Sequence, residues 1–259
     1  MFDYREIAKF YPEKERIFKR QLLREYLQYK ILDIIYGTEA GQKAVFIGGT
    51  AIRIAYGSRR FSEDIDLDGR NLSLEKFKEL SEVVKRELEY DGYAVEMKVV
   101  AKNAFRCYLK FPRLLYDMEM SGYEEEKILI QLDSEEQPYE YEPEEFLLNK
   151  FAILSKIFVA PPAILLSQKI AAFLKRKRTK ARDMYDIVYL YSLTTPDQGY
   201  LESVLGIKDK DALRSALLEK CSGLDLDAMK KEIEVFLIEP KDAKMIGMFP
   251  EFMKKKLTI

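Results

Sequence analysis

The chain has 259 residues, enough for a sizeable core and, at this length, for two modest domains. A composition 47% hydrophobic and 34% charged is that of a soluble globular protein, and a formal net charge of -1 excludes a surface coated in basic residues for nucleic acid, so any phosphate site has to be local. With no histidine and only two distant cysteines, Cys107 and Cys221, imidazole chemistry, a zinc site and a disulfide framework are excluded, which leaves carboxylates, lysine and metal ions.

The first twenty residues mix charges and lack the apolar stretch of a secretory signal, so a cytoplasmic location is expected. The longest apolar segment, 151–166, is interrupted by Lys156, Pro161 and Pro162, and no membrane role is implied. Apolar residues from Ile17 to Ile35 recur at three and four residue steps and predict a long first helix. A short buried strand (44–47), a sharp turn at Gly48-Gly49 and a short helix (50–56) with Thr50 near its cap follow. Residues 64–68, Asp-Ile-Asp-Leu-Asp, alternate as a strand does.

Ser73 caps a predicted helix over 74–89, and strands are expected at 93–101, 104–111 and 127–133. The acidic, Pro-interrupted segment 133–145 reads as an exposed connection, and 151–160 as another strand. Pro161 and Pro162 suit the first turn of a helix reaching about Leu174, and further helices are expected at 180–193, 209–221, 225–238 and 249–256, with Gly206 and Gly223 as stops. Strands first and helices afterwards indicate an α+β domain over 1–160, a mixed sheet with helices, and a helical domain over 161–259.

On a strand, Asp64, Asp66 and Asp68 share a face, successive ones roughly 6.6 Å apart from twice the strand rise. Three like charges there repel unless a cation is present, and magnesium ions are the usual occupant where phosphoryl groups move. The same letters, with Gly69 and Glu75, also satisfy a calcium-loop pattern, but the preceding Tyr-Gly-Ser-Arg-Arg segment does not offer the entering helix an EF-hand needs. Upstream, a strand, then Gly48-Gly49, then a helix beginning at Thr50 aims backbone N–H groups at one spot, a ready anion site beside the carboxylates.

Ile47-Gly48-Gly49 followed by Asp64-Ile65-Asp66-Leu67 resembles the signature of the nucleotidyltransferase superfamily related to DNA polymerase beta. Residues 48–68 are more narrowly similar to the AbiEii/AbiGii toxins, nucleotidyltransferases of type IV toxin–antitoxin systems whose relatives include enzymes that modify transfer RNA. A second region of that family is matched by 167–187, so the resemblance spans about 40–190. It implies a polymerase-beta-like fold, a nucleoside triphosphate substrate, magnesium or manganese, an RNA acceptor and a separately encoded antitoxin. It further implies that Asp64 and Asp66 ligate metal, that Lys169 contacts the nucleotide phosphates, and that Asp183 is the carboxylate of the helical region, with Asp186 its near rival; Gly48, Gly49 and Thr50 of the turn, with Ser62, are the other candidate nucleotide-binding residues. The third carboxylate usual on a neighbouring strand is not obvious: residues 128–133 supply Gln131 and Asp133, and Glu96 is another candidate.

A lysine on an apolar helix ordinarily snorkels to water, whereas Lys169 on a phosphate tail would neutralise departing pyrophosphate. Residues 175–182 hold six basic residues in eight, a solvated face or a grip on an acceptor backbone, and Arg182 beside Asp183 suits an ordinary ion pair. Arg53 is expected to brace the aspartate strand or its loop, Ser62 to meet a phosphate or cap the loop, and Tyr185 and Tyr189 to be core. The competing functions are a small-molecule nucleotidyltransferase of the antibiotic-modifying kind, which shares the metal motif, and a calcium- or nucleic-acid-binding module without catalysis.

Overall fold

The computed structural model describes residues 3–102 and 104–257. Contacts group the chain into two units, one of Met1–Ala51, Ser62–Gln137 and Pro143–Val159, the other of Ile52–Phe61, Pro138–Glu142 and Ala160–Ile259.

In the first unit the alternating segments become one seven-stranded mixed sheet among the described residues. In chain order its elements are α1 (Tyr4–Ala8), α2 (Lys19–Tyr36), β1 (Val45–Ile47), α3 (Gly48–Ile54, its first four residues in this unit), β2 (Ile65–Asp68), α4 (Leu74–Tyr90), β3 (Glu96–Ala101), β4 (Phe105–Phe111), α5 (Leu114–Asp117), β5 (Ile128–Glu135), β6 (Glu144–Lys150) and β7 (Ile153–Val159). The strand order is β3-β4-β5-β2-β1-β7-β6. β2 lies antiparallel to β1, with Ile47 opposite Asp66, and parallel to β5, with Asp66 opposite Asp133. Period-two alternation then sorts the residues: Ile65, Leu67, Cys107, Leu109 and Leu132 are buried on the face covered by α2 and α4, while Asp66, Asp133 and Arg106 fall on the other. Burial pushes both cysteine thiols up to about 11, which leaves them inert.

Ile65–Asp68 is hydrogen-bonded to strands on both sides, so the calcium-loop reading is wrong: a paired strand cannot wrap an ion. Two other expectations fail in this unit. The supposed connection before Glu145 contains the start of β6, which forms a hairpin with β7, Lys150 opposite Ile153. Its turn, Phe151-Ala152, has φ of 60° and 58°, a conformation that no Asn or Gly announces. Left-handed backbone costs an L-residue about 1–2 kcal/mol. Phe151 offsets this by burial among the rings of Phe10, Tyr11, Tyr26 and Tyr29, at centroid distances of 4.9 to 5.9 Å. The second correction is that the helix after β1 begins at Gly48 itself, which places Thr50 inside it instead of at its cap.

The second unit is built from α6 (Pro162–Lys175), α7 (Ala181–Leu190), α8 (Gln198–Leu205), α9 (Lys210–Ser222), α10 (Leu226–Glu234) and α11 (Lys244–Lys256). Asp197, Asp209 and Asp225 cap α8, α9 and α10 through their carboxylates, and Gly206, at φ 69°, ends α8, a helix the periodicity did not reveal. The last helix, expected from 249, begins at Lys244, so Pro250 lies inside α11, where Ile246, Phe249 and Met253 form one buried face. α10 stops at Glu234 because the chain beyond it pairs with residues 59–61: the Phe61 N–H donates to the Phe236 carbonyl (2.7 Å) and Ile238 N–H to Arg59 (3.4 Å). No helix among the described residues is long and apolar enough to cross a membrane.

Candidate active site

In the first unit Gly48, Thr50, Asp64 and Asp66 meet at the end of β1, while Asp68 lies at its other end. Gly48 has φ 79°, and a Cβ built on it would lie 2.0 Å from Asp66 Oδ2. The register that puts Asp66 opposite Ile47 therefore lays its carboxylate directly on the bend, and only glycine satisfies both the backbone and the space. Asp64 falls just before β2, not within it. Thr50, fully buried, donates its hydroxyl to the Asp64 carbonyl, so its side chain braces the carboxylate segment. Gln28 of α2 donates to the Ser62 carbonyl at 3.1 Å, and Arg24 pairs with Glu63 at 3.0 Å. These tethers from α2 fix the approach to Asp64, and nothing in local sequence announces them.

Asp133 faces Asp66 across the parallel pair β2–β5. Burial holds its carboxyl above the ordinary range, opposed by Arg106 and Gln131 and reinforced by the nearby charge of Asp64. Arg106, whose role the sequence did not suggest, lies 3.1 and 3.2 Å from the two oxygens of Asp133. Gln131 donates to Asp133, and Glu96 sits on the edge strand β3 bound to Lys127, so of the three positions left open Asp133 alone supplies a carboxylate beside β2. Asp68 serves its own loop: its carboxylate accepts from the backbone N–H groups of Gln137 (3.1 Å) and Arg70 (3.4 Å) and is almost fully buried.

The second unit gathers Lys169 against two buried carboxylates, Asp183 and Asp186. Lys169 does not snorkel: its ammonium lies 2.9 Å from Asp186 and 3.3 Å from Asp183, both carboxylates fully buried. Arg60, 1% exposed, donates from Nε and Nη2 to both oxygens of Asp186 at 2.6 Å each, a bidentate fork. Burial disfavours the Arg60 cation, but Asp186 outweighs it and holds the guanidinium pKa above its usual value; for Asp186 burial is likewise outweighed by Arg60 and Lys169, which hold its carboxyl below the usual range. The expected pairing of Arg182 with Asp183 is corrected, because Arg176 takes that carboxylate together with Lys169. Arg53 braces the loop, donating to the Ser58 carbonyl at 2.9 Å and stacking over Phe61. Tyr185 is core, and Tyr189 donates to the Tyr56 carbonyl.

The chain matches the family described as nucleotidyl transferase AbiEii toxin, type IV toxin–antitoxin system, over residues 30–256. It belongs to this AbiEii family. Two solved structures from Helicobacter pylori share its fold. JHP933 is 20% identical, covers 92% of this chain and 93% of its own, and gives a TM-score of 0.55. A candidate nucleotidyltransferase, also 20% identical, covers 92% and 96%, with a TM-score of 0.56. No curated protein matches the chain. The AbiEii assignment makes the chain a nucleotidyltransferase and sets aside the non-catalytic alternative.

Proposed function

We propose that this AbiEii member moves a nucleotide from a nucleoside triphosphate to a hydroxyl of an RNA acceptor in the cytoplasm, as the toxin opposed by a separately encoded antitoxin. The observation that carries the reading is the Asp66 carboxylate lying on the Gly48 bend, since it sets a carboxylate beside a backbone turn suited to phosphate. In the reaction the acceptor oxygen attacks the α-phosphorus, the bond to the bridging oxygen breaks, and pyrophosphate leaves.

Asp64 and Asp66 are the residues we assign to a divalent cation, with Asp133 as the additional carboxylate. Their hard oxygens fit magnesium or manganese. Among the described residues these acids do not form a ready-made three-ligand site, so an ion held there would take its remaining ligands from substrate phosphates and water. Such an ion would neutralise the phosphate oxygens and favour ionisation of the attacking hydroxyl. We assign the triphosphate to the Gly48 and Gly49 backbone beside Thr50, to Ser62 and to Lys169, with Asp183 and Asp186 orienting the Lys169 ammonium. The runner-up acceptor, a small molecule, draws no support from a specific contact.

The test is incubation with each labelled triphosphate, magnesium and total RNA, beside Asp66→Asn and Lys169→Ala. Label should enter RNA with the wild type and fall at least about 100-fold with either variant. Undiminished labelling by both variants would remove the residue assignment, and transfer to small hydroxyl compounds in place of RNA would shift the acceptor class.

A further inference from the structure

In the second unit two buried carboxylates, Asp183 and Asp186, are met by three cations, the buried Arg60, the largely buried Lys169 and the solvent-exposed Arg176. Lys169 by itself against both acids would be overcompensated, a poor partner for an anion. Arg60 satisfies Asp186 through two bonds of 2.6 Å, and Arg176 satisfies Asp183. The cluster is left with one positive charge in excess.

We propose that Arg60 is a positioning residue that neutralises Asp186, so that Asp186 can hold the Lys169 ammonium in place without cancelling its charge toward a polyphosphate. Stability alone does not account for a fully buried guanidinium, because a buried ion pair is often no better than an apolar pair of the same volume. The arginine is also held on its own account. Its Nη1 donates to the Phe61 carbonyl, and its backbone segment is paired to Phe236–Ile238. The segment after α10 thereby acquires a task, fixing the arginine that balances the lysine site. The inference rests on the assignment of Lys169 to the triphosphate.

Binding of inorganic tripolyphosphate, followed by calorimetry with magnesium present, tests it without recourse to turnover. Lys169→Ala should weaken binding; if it binds as the wild type does, or if neither binds, the assignment of Lys169 is what fails. Arg60→Gln removes one positive charge and should weaken tripolyphosphate by about tenfold or more. Adding Asp186→Asn to Arg60→Gln restores the excess charge and leaves Asp183 to hold Lys169, so the double variant should recover most of the affinity that Arg60→Gln loses. A merely structural arginine would leave the double variant no better than the single one. Tripolyphosphate binding unchanged in a folded Arg60→Gln, or lost equally in the double variant, would overturn the proposal. Should Arg60→Gln not fold, the double variant decides by the same criterion.

Discussion

Gly48→Ala is the substitution for which the structure gives the sharpest expectation. The new methyl carbon would meet Asp66 Oδ2 at 2.0 Å, Cγ at 2.7 Å and Cβ at 2.8 Å, so the carboxylate has to retreat by roughly 1.4 Å to reach ordinary contact. The backbone at φ 79° adds strain of about 1–2 kcal/mol for any L-residue, and forcing a methyl into filled space adds about 1–3 kcal/mol. Gly92 supplies the control, with φ 92° and nothing within 4 Å of the place its methyl would occupy. Gly92→Ala should therefore lose only the strain, about 1–2 kcal/mol, and keep full activity. Gly48→Ala should lose about 2–5 kcal/mol and also reduce nucleotide transfer by about 100-fold, because a displacement near 1 Å at a reacting centre has that effect. Chemical denaturation of both variants gives the stability difference, and labelled triphosphate gives the rate. Equal stability of the two alanine variants together with wild-type transfer by Gly48→Ala would refute the claim that Asp66 occupies the space a side chain would need.

Two further expectations concern stability. Phe151→Ala should destabilise the protein by about 3–5 kcal/mol in denaturant titration, since it empties a site walled by four aromatic rings, whereas Ala152→Gly at φ 58° should leave stability unchanged or raise it by up to about 1 kcal/mol. Acidification probes the buried cluster. Because the folded Asp186 carboxyl lies below its unfolded value, its contribution is fully present above the unfolded pKa and is lost as the pH falls through the folded one. The melting temperature of the wild type should thus fall more steeply below about pH 4 than that of Arg60→Gln/Asp186→Asn; parallel curves would exclude Asp186 as a source of acid sensitivity.

Elements with a strong local signature were legible in the sequence. α4 carries a serine cap and a regular apolar face, and β4 and β5 alternate cleanly, so their ends were found to within a few residues. β6 was hidden because its hairpin turn uses Phe151 and Ala152, residues with no turn preference, whose unusual conformation is stabilised by four rings brought from elsewhere in the chain. α8 was hidden because a helix of eight residues offers too few repeats for periodicity to register.

The site divides in the same manner. Carboxylates at alternate positions behind a diglycine, and a lysine followed by paired aspartates on the next helix, are constraints of spacing along the chain, and the amino-acid order alone expresses them. The place of Asp133 opposite Asp66, the Arg106 contact, and Arg60 reaching Asp186 across 126 positions depend on strand register and helix packing. Charge pairing acts through space: a buried carboxylate takes the cation that folding brings within hydrogen-bond reach, and so it binds Arg176 and not its neighbour Arg182.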